Sequence, residues 1–214
     1  KIWDRDTMEK IGELCRKYHV LVVSDEIHCD LTDPEKEYVP FAAVSEKCRD
    51  NSITCIASTK TFNLAGLQTA AVIVPDGHLR HKVWRGLNTD EAAEPNVFAM
   101  SAAIAAWRNG APWLEELRKY LYENKREAAE FLGTQIPEVS LVSSEATYLL
   151  WIDCRRITEK DVELKDFLRR ETGLYLCEGS EYGKAGEGFL RMNAACPRER
   201  LKDGLMRLKR GIEA

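Results

Sequence analysis

The sequence contains no apolar run approaching the roughly 20 residues that span a bilayer, so no membrane role is expected. It has no basic block and no Arg-rich stripe. With a net charge of −4, this argues against nucleic acid as a partner. None of the seven cysteines, at 15, 29, 48, 55, 154, 177 and 196, forms a Cys-x-x-Cys pair. An odd, dispersed set without a secretory signal predicts reduced thiols in a cytoplasmic protein. A P-loop is excluded, because Gly66 follows Lys60 where a phosphate loop needs glycine before its lysine. No Cys or Ser stands in a paired-histidine pattern for nucleophilic catalysis. Asp25-Glu26-Ile27-His28-Cys29-Asp30 reads as a candidate ligand run, since strand alternation would aim 26, 28 and 30 at one face. The other histidines (19, 78 and 81) make no second cluster, which argues against a metal site.

What is present is enough apolar material for a packed core. Hydrophobic residues make up 44% of 214, which excludes global disorder and suits one large domain or two small ones. Asp6 with Glu9 reads as a capping pair, and Met8, Ile11, Leu14, Cys15 and Tyr18 follow at helical spacing. Residues 20–24 form a β-branched run expected of a strand buried on both faces. Residues 52–57 and 70–74 read as two more strands. About a dozen residues separate them, which permits antiparallel pairing. The stretch 97–108 is helical, Asn109-Gly110 stops it, and Pro112 opens a long helix carrying Leu114, Leu117, Leu121, Ala128 and Phe131. Strands are then predicted near 139–142, 147–153, 174–177 and 189–192, with helices at 161–171 and 198–212. The expected division is a partial large domain over 1–117 and a small C-terminal domain over 118–214. The chain opens on Lys1 and runs directly into a helix, which reads as a cut through a larger protein.

Two strand ends carry the chemistry. Val20-Leu21-Val22-Val23-Ser24-Asp25 sets a carboxylate at the carboxyl end of one apolar run, where an open α/β sheet presents its ligand crevice. Ser58-Thr59-Lys60-Thr61 follows the next run, Ile53-Thr54-Cys55-Ile56-Ala57. A lysine so placed suits a Schiff base with an aldehyde cofactor, and burial would favour its neutral, nucleophilic form. Ser58 and Thr59 offer hydroxyls to a phosphate, and Asp25 would stabilise a protonated pyridine ring. Taken singly, an Asp ending a strand is a turn or cap residue, and a lone lysine is a solvated charge. In order, at two sheet ends, they are what pyridoxal 5'-phosphate requires. Arg191, within Phe189-Leu190-Arg191-Met192-Asn193, interrupts an apolar strand and needs an anionic partner. That partner is either an internal carboxylate or the carboxylate of an amino-acid substrate, clamped bidentately. Arg198 reads as a first-turn helix residue at the surface.

Ser-Asp-Glu-Ile-His at 24–28, Thr-Lys-Thr-Phe-Asn-Leu-Ala-Gly-Leu-Gln at 59–68 and Arg-Met-Asn-Ala-Ala-Cys-Pro-Arg at 191–198 resemble fold-type I pyridoxal-phosphate enzymes. These are the class I/II aminotransferase superfamily, and the likeness is strongest to its cystathionine β-lyase branch of carbon–sulfur lyases. The resemblance runs from Trp3 to the C-terminus and implies an α/β fold. That fold is the C-terminal part of a large domain with a mostly parallel sheet, followed by a small α+β domain. It implies that Lys60 holds the cofactor, Asp25 pairs with its ring nitrogen and Arg191 binds the substrate α-carboxylate. His28 stands where many aminotransferases carry a tyrosine to the cofactor, and its role stays open between contact and spectator. Gln68 stands where aminotransferases often have a phosphate-binding arginine. Both departures fit the lyase branch. Tyr148 falls on a small-domain strand that faces the site in such enzymes. The resemblance further implies a homodimeric parent and an absent N-terminal half. The parent protein is therefore expected to be a β-lyase, with an aminotransferase as the alternative and an inactive fragment or binding scaffold as the reading of another class; the 214-residue piece alone is expected to be inactive.

Overall fold

The computed structural model describes residues 1–214 and divides into two compact units, Lys1–Leu117 and Arg118–Ala214. The first begins with helix α1 (Arg5–Lys17). Its N-cap is Asp4 and not Asp6: the Asp4 carboxylate accepts from the Thr7 amide at 2.8 Å and from the Thr7 hydroxyl at 2.8 Å. Thr7 thus supplies two donors that the Asp6–Glu9 pairing overlooked. Met8 and Gly12 face inward, whereas Leu14 and Tyr18 lie at the rim of that face and are exposed. Gly12 is required by close approach, since a Cβ there would fall 2.3 Å from the Cys48 sulfur.

Strand β1 (Val22–Asp25) follows, then the short helix α2 (Glu46–Asp50), strand β2 (Ser52–Ile56), the one-turn helix α3 (Ser58–Thr61) and strand β3 (Ala71–Ile73). The sheet order is β1-β2-β3. β1 and β2 run parallel with Asp25 opposite Cys55, and β3 pairs antiparallel with β2. The 20–24 run is not buried on both faces: Val20, Leu21 and Val23 are exposed. β1 alternates, with Val22 and Ser24 half-buried and Val23 and Asp25 exposed, so one of its faces is left uncovered in this unit. Helices α4 (Gly77–Thr89) and α5 (Ala99–Asn109) complete the unit, and the long helix α6 (Ala111–Gln135) crosses into the second.

The second unit contains β4 (Ser140–Leu141), β5 (Leu149–Asp153), helix α7 (Asp161–Thr172), β6 (Cys177–Glu178), β7 (Phe189–Asn193) and helix α8 (Arg198–Ile212). Its antiparallel sheet has the order β4-β5-β7-β6. Strand alternation divides the faces. Leu150, Ile152, Leu190 and Met192 join a core with Leu132, Leu168, Leu201, Leu205 and Leu208. Trp151 and Arg191 pair across the ladder on the opposite face, and Cys177 pairs with Arg191 from the other side. Inside the helical layer, Asn124 is fully buried. Its side-chain amide donates to the carbonyls of Ala194 and Cys196 at 3.0 and 3.1 Å, and its oxygen accepts from Arg198 Nε at 3.2 Å. No helix is long and apolar enough to cross a membrane.

Candidate active site

The chain turns sharply where β1 ends. Asp25 is exposed at the strand end, and its Oδ1 accepts from the Ile27 amide at 3.3 Å. Residues 26–30 therefore leave the strand, and the alternation behind the metal reading fails. Glu26 turns inward instead. Its Oε1 accepts from the Ser24 hydroxyl at 2.8 Å and from the Phe41 amide at 3.0 Å. Tyr38, whose pKa is raised by burial and then by its hydrogen bond to Glu26, belongs to the same cluster. Asp30 reaches to α3, where its Oδ2 accepts from the Thr61 hydroxyl at 3.0 Å. That bond ties the turn after Asp25 to the turn carrying Lys60. Glu26, Asp30 and Thr61 were missed as organising residues, because their partners lie 15 and 31 positions away.

In α3 the residues at i and i+3 share a face. Ser58 and Thr61 take the inner side, and each is 1% exposed. Lys60 therefore points outward and is exposed, contrary to the buried amine expected from the sequence. The backbone of the turn is pinned further by Phe62. Its ring packs against Trp113 at a centroid distance of 5.7 Å. A Cβ at Gly110 would lie 2.3 Å from that ring, so Gly110 is the residue that lets the two approach. Ser58 Oγ is buried with no hydrogen-bond partner. Beside it, Thr59 and Lys60 line a groove of about 850 Å³ together with Ala57, Gln68, Ala103 and Trp107.

His28 lies between two opposite influences. Its pKa is lowered from 6.5, first by burial, then by the positive charge of Lys60, with the negative charge of Asp25 opposing. Asp25, His28, Ser58, Thr59 and Lys60 are thus gathered at the carboxyl ends of β1 and β2. Such an arrangement offers an amine for covalent attachment, a hydroxyl in want of a partner and an acceptor for a protonated ring nitrogen.

In the second unit Arg191 makes no ion pair. Its Nη2 donates to Cys177 Sγ at 3.3 Å, and its guanidinium carbon stands 4.9 Å from the centroid of Tyr182. The internal salt bridge weighed from the sequence is absent. Tyr148 feels Arg191: burial raises its pKa and the Arg191 charge opposes. Tyr148 follows Thr147, a β-branched residue at φ 65°, a backbone state that such residues rarely adopt. Arg198 opens α8 and pairs with Glu123 at 2.7 Å and Glu127 at 3.4 Å.

Comparison with known proteins gives this geometry a lineage. The family model for aminotransferase class I and II matches residues 1–208, and the chain belongs to that family. It is 42% identical over 210 residues to cystathionine beta-lyase PatB of Bacillus subtilis, covering 98% of this chain and 54% of PatB. It is 34% identical over 215 residues to protein MalY of Escherichia coli, covering 100% of this chain and 54% of MalY. Among solved structures, cystalysin from Treponema denticola, which contains pyridoxal 5'-phosphate, superposes with a TM-score of 0.96 at 28% identity, over 100% of this chain and 54% of that one. The PLP-bound C-S lyase from Staphylococcus hominis superposes at 0.89 with 30% identity, over 99% and 55%. The chain spans about half the length of the relatives it matches.

Proposed function

We propose that this chain carries residues of a pyridoxal-phosphate-dependent carbon–sulfur lyase. The reaction is β-elimination on cystathionine or a related S-substituted cysteine, releasing a thiol and, after hydrolysis, pyruvate and ammonia. The observation that carries this reading is the α3 turn. A buried hydroxyl without a partner costs about 1–3 kcal/mol, and Ser58 Oγ is such a group. A phosphate oxygen would satisfy it one residue from Thr59 and two from Lys60. The names of PatB and of the Staphylococcus enzyme support the lyase reading.

The residues fit the cofactor. Lys60 would hold it covalently, Ser58 and Thr59 would hold its phosphate, and Asp25 would face its ring nitrogen with His28 alongside. When bound, the cofactor supplies an electron sink for the charge that develops at the substrate Cα. Arg191 takes the α-carboxylate in a two-pronged hydrogen bond, with Tyr148 as a further substrate contact. Lys60 would also serve as the general base for the Cα proton. Asp25 would favour a protonated ring nitrogen by opposite-charge stabilisation. The β-sulfur then departs as a thiolate. Orientation by Arg191 keeps the breaking bond aligned for that departure. We further infer a cytoplasmic homodimer, on seven cysteines that form no disulfide and the exposed Val97, Phe98 and Met100.

An aminotransferase is the second reading, favoured by the family match itself. Cystathionine supplied without any oxo-acid acceptor separates the two: the lyase yields pyruvate and thiol, and an absolute need for an acceptor ends the lyase assignment. Borohydride reduction with cofactor, followed by peptide mapping, separates both from an inert scaffold. The adduct is expected on Lys60, and a reduced protein with Lys60 unmodified overturns the reading.

A further inference from the structure

Arg191 is held in an uncommon way. An arginine on a strand is ordinarily secured by a carboxylate, which also neutralises it. Here both fixed contacts are uncharged groups: the Cys177 thiol at 3.3 Å and the face of the Tyr182 ring at 4.9 Å. A guanidinium has five N–H donors; only one meets a protein acceptor. The side chain is therefore oriented while its charge and most of its donors stay available.

Tyr182 is itself built into place. It ends a short 3-10 turn, Gly179–Tyr182. The Ser180 amide of that turn donates to the buried Asp161 carboxylate at 2.7 Å. Gly179 lies against Gly186 so closely that a Cβ on Gly179 would sit 2.2 Å from the Gly186 carbonyl oxygen. Trp151, the cross-strand partner of Arg191, meets the Tyr182 ring edge-on at 5.7 Å, and Trp151 in turn stacks on Phe189 at 5.6 Å.

We propose that Tyr182 is a positioning residue for carboxylate capture at Arg191, with Cys177 as the second hold. The neutrality of this pair keeps the guanidinium competent for an amino-acid carboxylate. The proposal rests on the assignment of Arg191 to the substrate carboxylate. Replacing the ring removes an attraction of the cation–π kind, so Tyr182→Leu is expected to raise KM for cystathionine about three- to fivefold with kcat nearly unchanged. Tyr182→Phe, which keeps the ring face, restores the lower KM. Cys177→Asp introduces a competing carboxylate and raises KM more than tenfold.

The test is steady-state kinetics on the cofactor-loaded full-length parent enzyme. Alongside it, the rate of phenylglyoxal modification at Arg191 is measured on the 214-residue chain by peptide mass spectrometry. Tyr182→Leu is expected to speed that labelling and Tyr182→Phe to leave it slow. An effect confined to melting temperature, or one that phenylalanine does not rescue, assigns Tyr182 a purely structural role and overturns the proposal. Arg191→Lys is the control. If it raises KM while Tyr182→Leu changes neither KM nor labelling, this proposal alone fails. If Arg191→Lys leaves KM unchanged, the assignment of Arg191 fails and takes the proposal with it.

Discussion

Replacing Asn124 by leucine tests whether one buried amide secures the second unit. The two side chains share a branched skeleton, so the change removes hydrogen bonds without opening a cavity, while the bulkier methyl groups of leucine add some overpacking to the cost. Asn124 satisfies the carbonyls of Ala194 and Cys196, which lie on the segment between Arg191-bearing β7 and α8. Ala194 is itself completely buried, so its carbonyl cannot turn to water without moving the strand end. Stranding a buried acceptor costs about 1–3 kcal/mol, and the buried apolar leucine returns part of that loss. With two acceptors affected, the net expectation is a destabilisation of roughly 2–3 kcal/mol. Arg198 keeps Glu123 and Glu127 as partners, so no stranded charge adds to the total. Urea denaturation followed by tryptophan fluorescence is the assay. The midpoint should fall with the slope unchanged, because the folded and unfolded surfaces are nearly the same. A loss below about 1 kcal/mol would refute the reasoning, since it would mean that water or a backbone shift satisfies both carbonyls.

Ser58→Ala should leave the stability of the cofactor-free chain unchanged or slightly improved, because an unsatisfied hydroxyl is removed, while cofactor retention weakens; fluorescence titration with pyridoxal 5'-phosphate and a melting curve read the two effects separately. His28 should titrate below 6.5 by NMR, in the direction set by its burial and by Lys60. Lys60→Met should raise that value and Asp25→Asn should lower it further; no movement in either variant would show that the three groups do not share a site. Asp161 is held below its ordinary 3.8: burial opposes ionisation, but the hydrogen bonds from Ser180, from its own amide and from Gly188 together outweigh it. A depressed folded pKa means the carboxylate's stabilisation is complete above 3.8 and lost as pH falls through the folded value. The stability gap between wild type and Asp161→Asn should therefore be widest near neutrality and shrink in acid; a gap independent of pH would contradict this. Gly186→Ala should destabilise the Tyr182 turn, because its Cβ would fall 2.0 Å from the Gly179 carbonyl oxygen, and proteolysis near Gly183 should quicken.

Some of this molecule is written locally. Pairing of β2 with β3 in opposite directions follows from the short link between them, and the helix over Arg198–Ile212 follows from Leu201, Leu205, Leu208 and Ile212 at helical spacing. The Asp25 and Lys60 motifs are contiguous stretches at strand ends, so residue order alone was enough to nominate them. What the chain could not declare by itself depends on partners distant in sequence. The cap is the local exception: Asp4 displaced Asp6 because Thr7, only three residues on, offered both donors. Lys60 came to the outside because Ser58 and Thr61 occupy the inner face of a single turn, with Asp30 fixing Thr61 from 31 residues away. Arg191 was legible as an anomaly, a charge in an apolar strand, but pattern could not say whether a carboxylate neutralised it. Only the folded sheet, by setting Cys177 and Trp151 on either side and bringing Tyr182 over its plane, decided that it is held without an ion pair. Local order can specify which groups a strand end presents; the dielectric, the partners and the direction of each group arise only when remote segments pack against it.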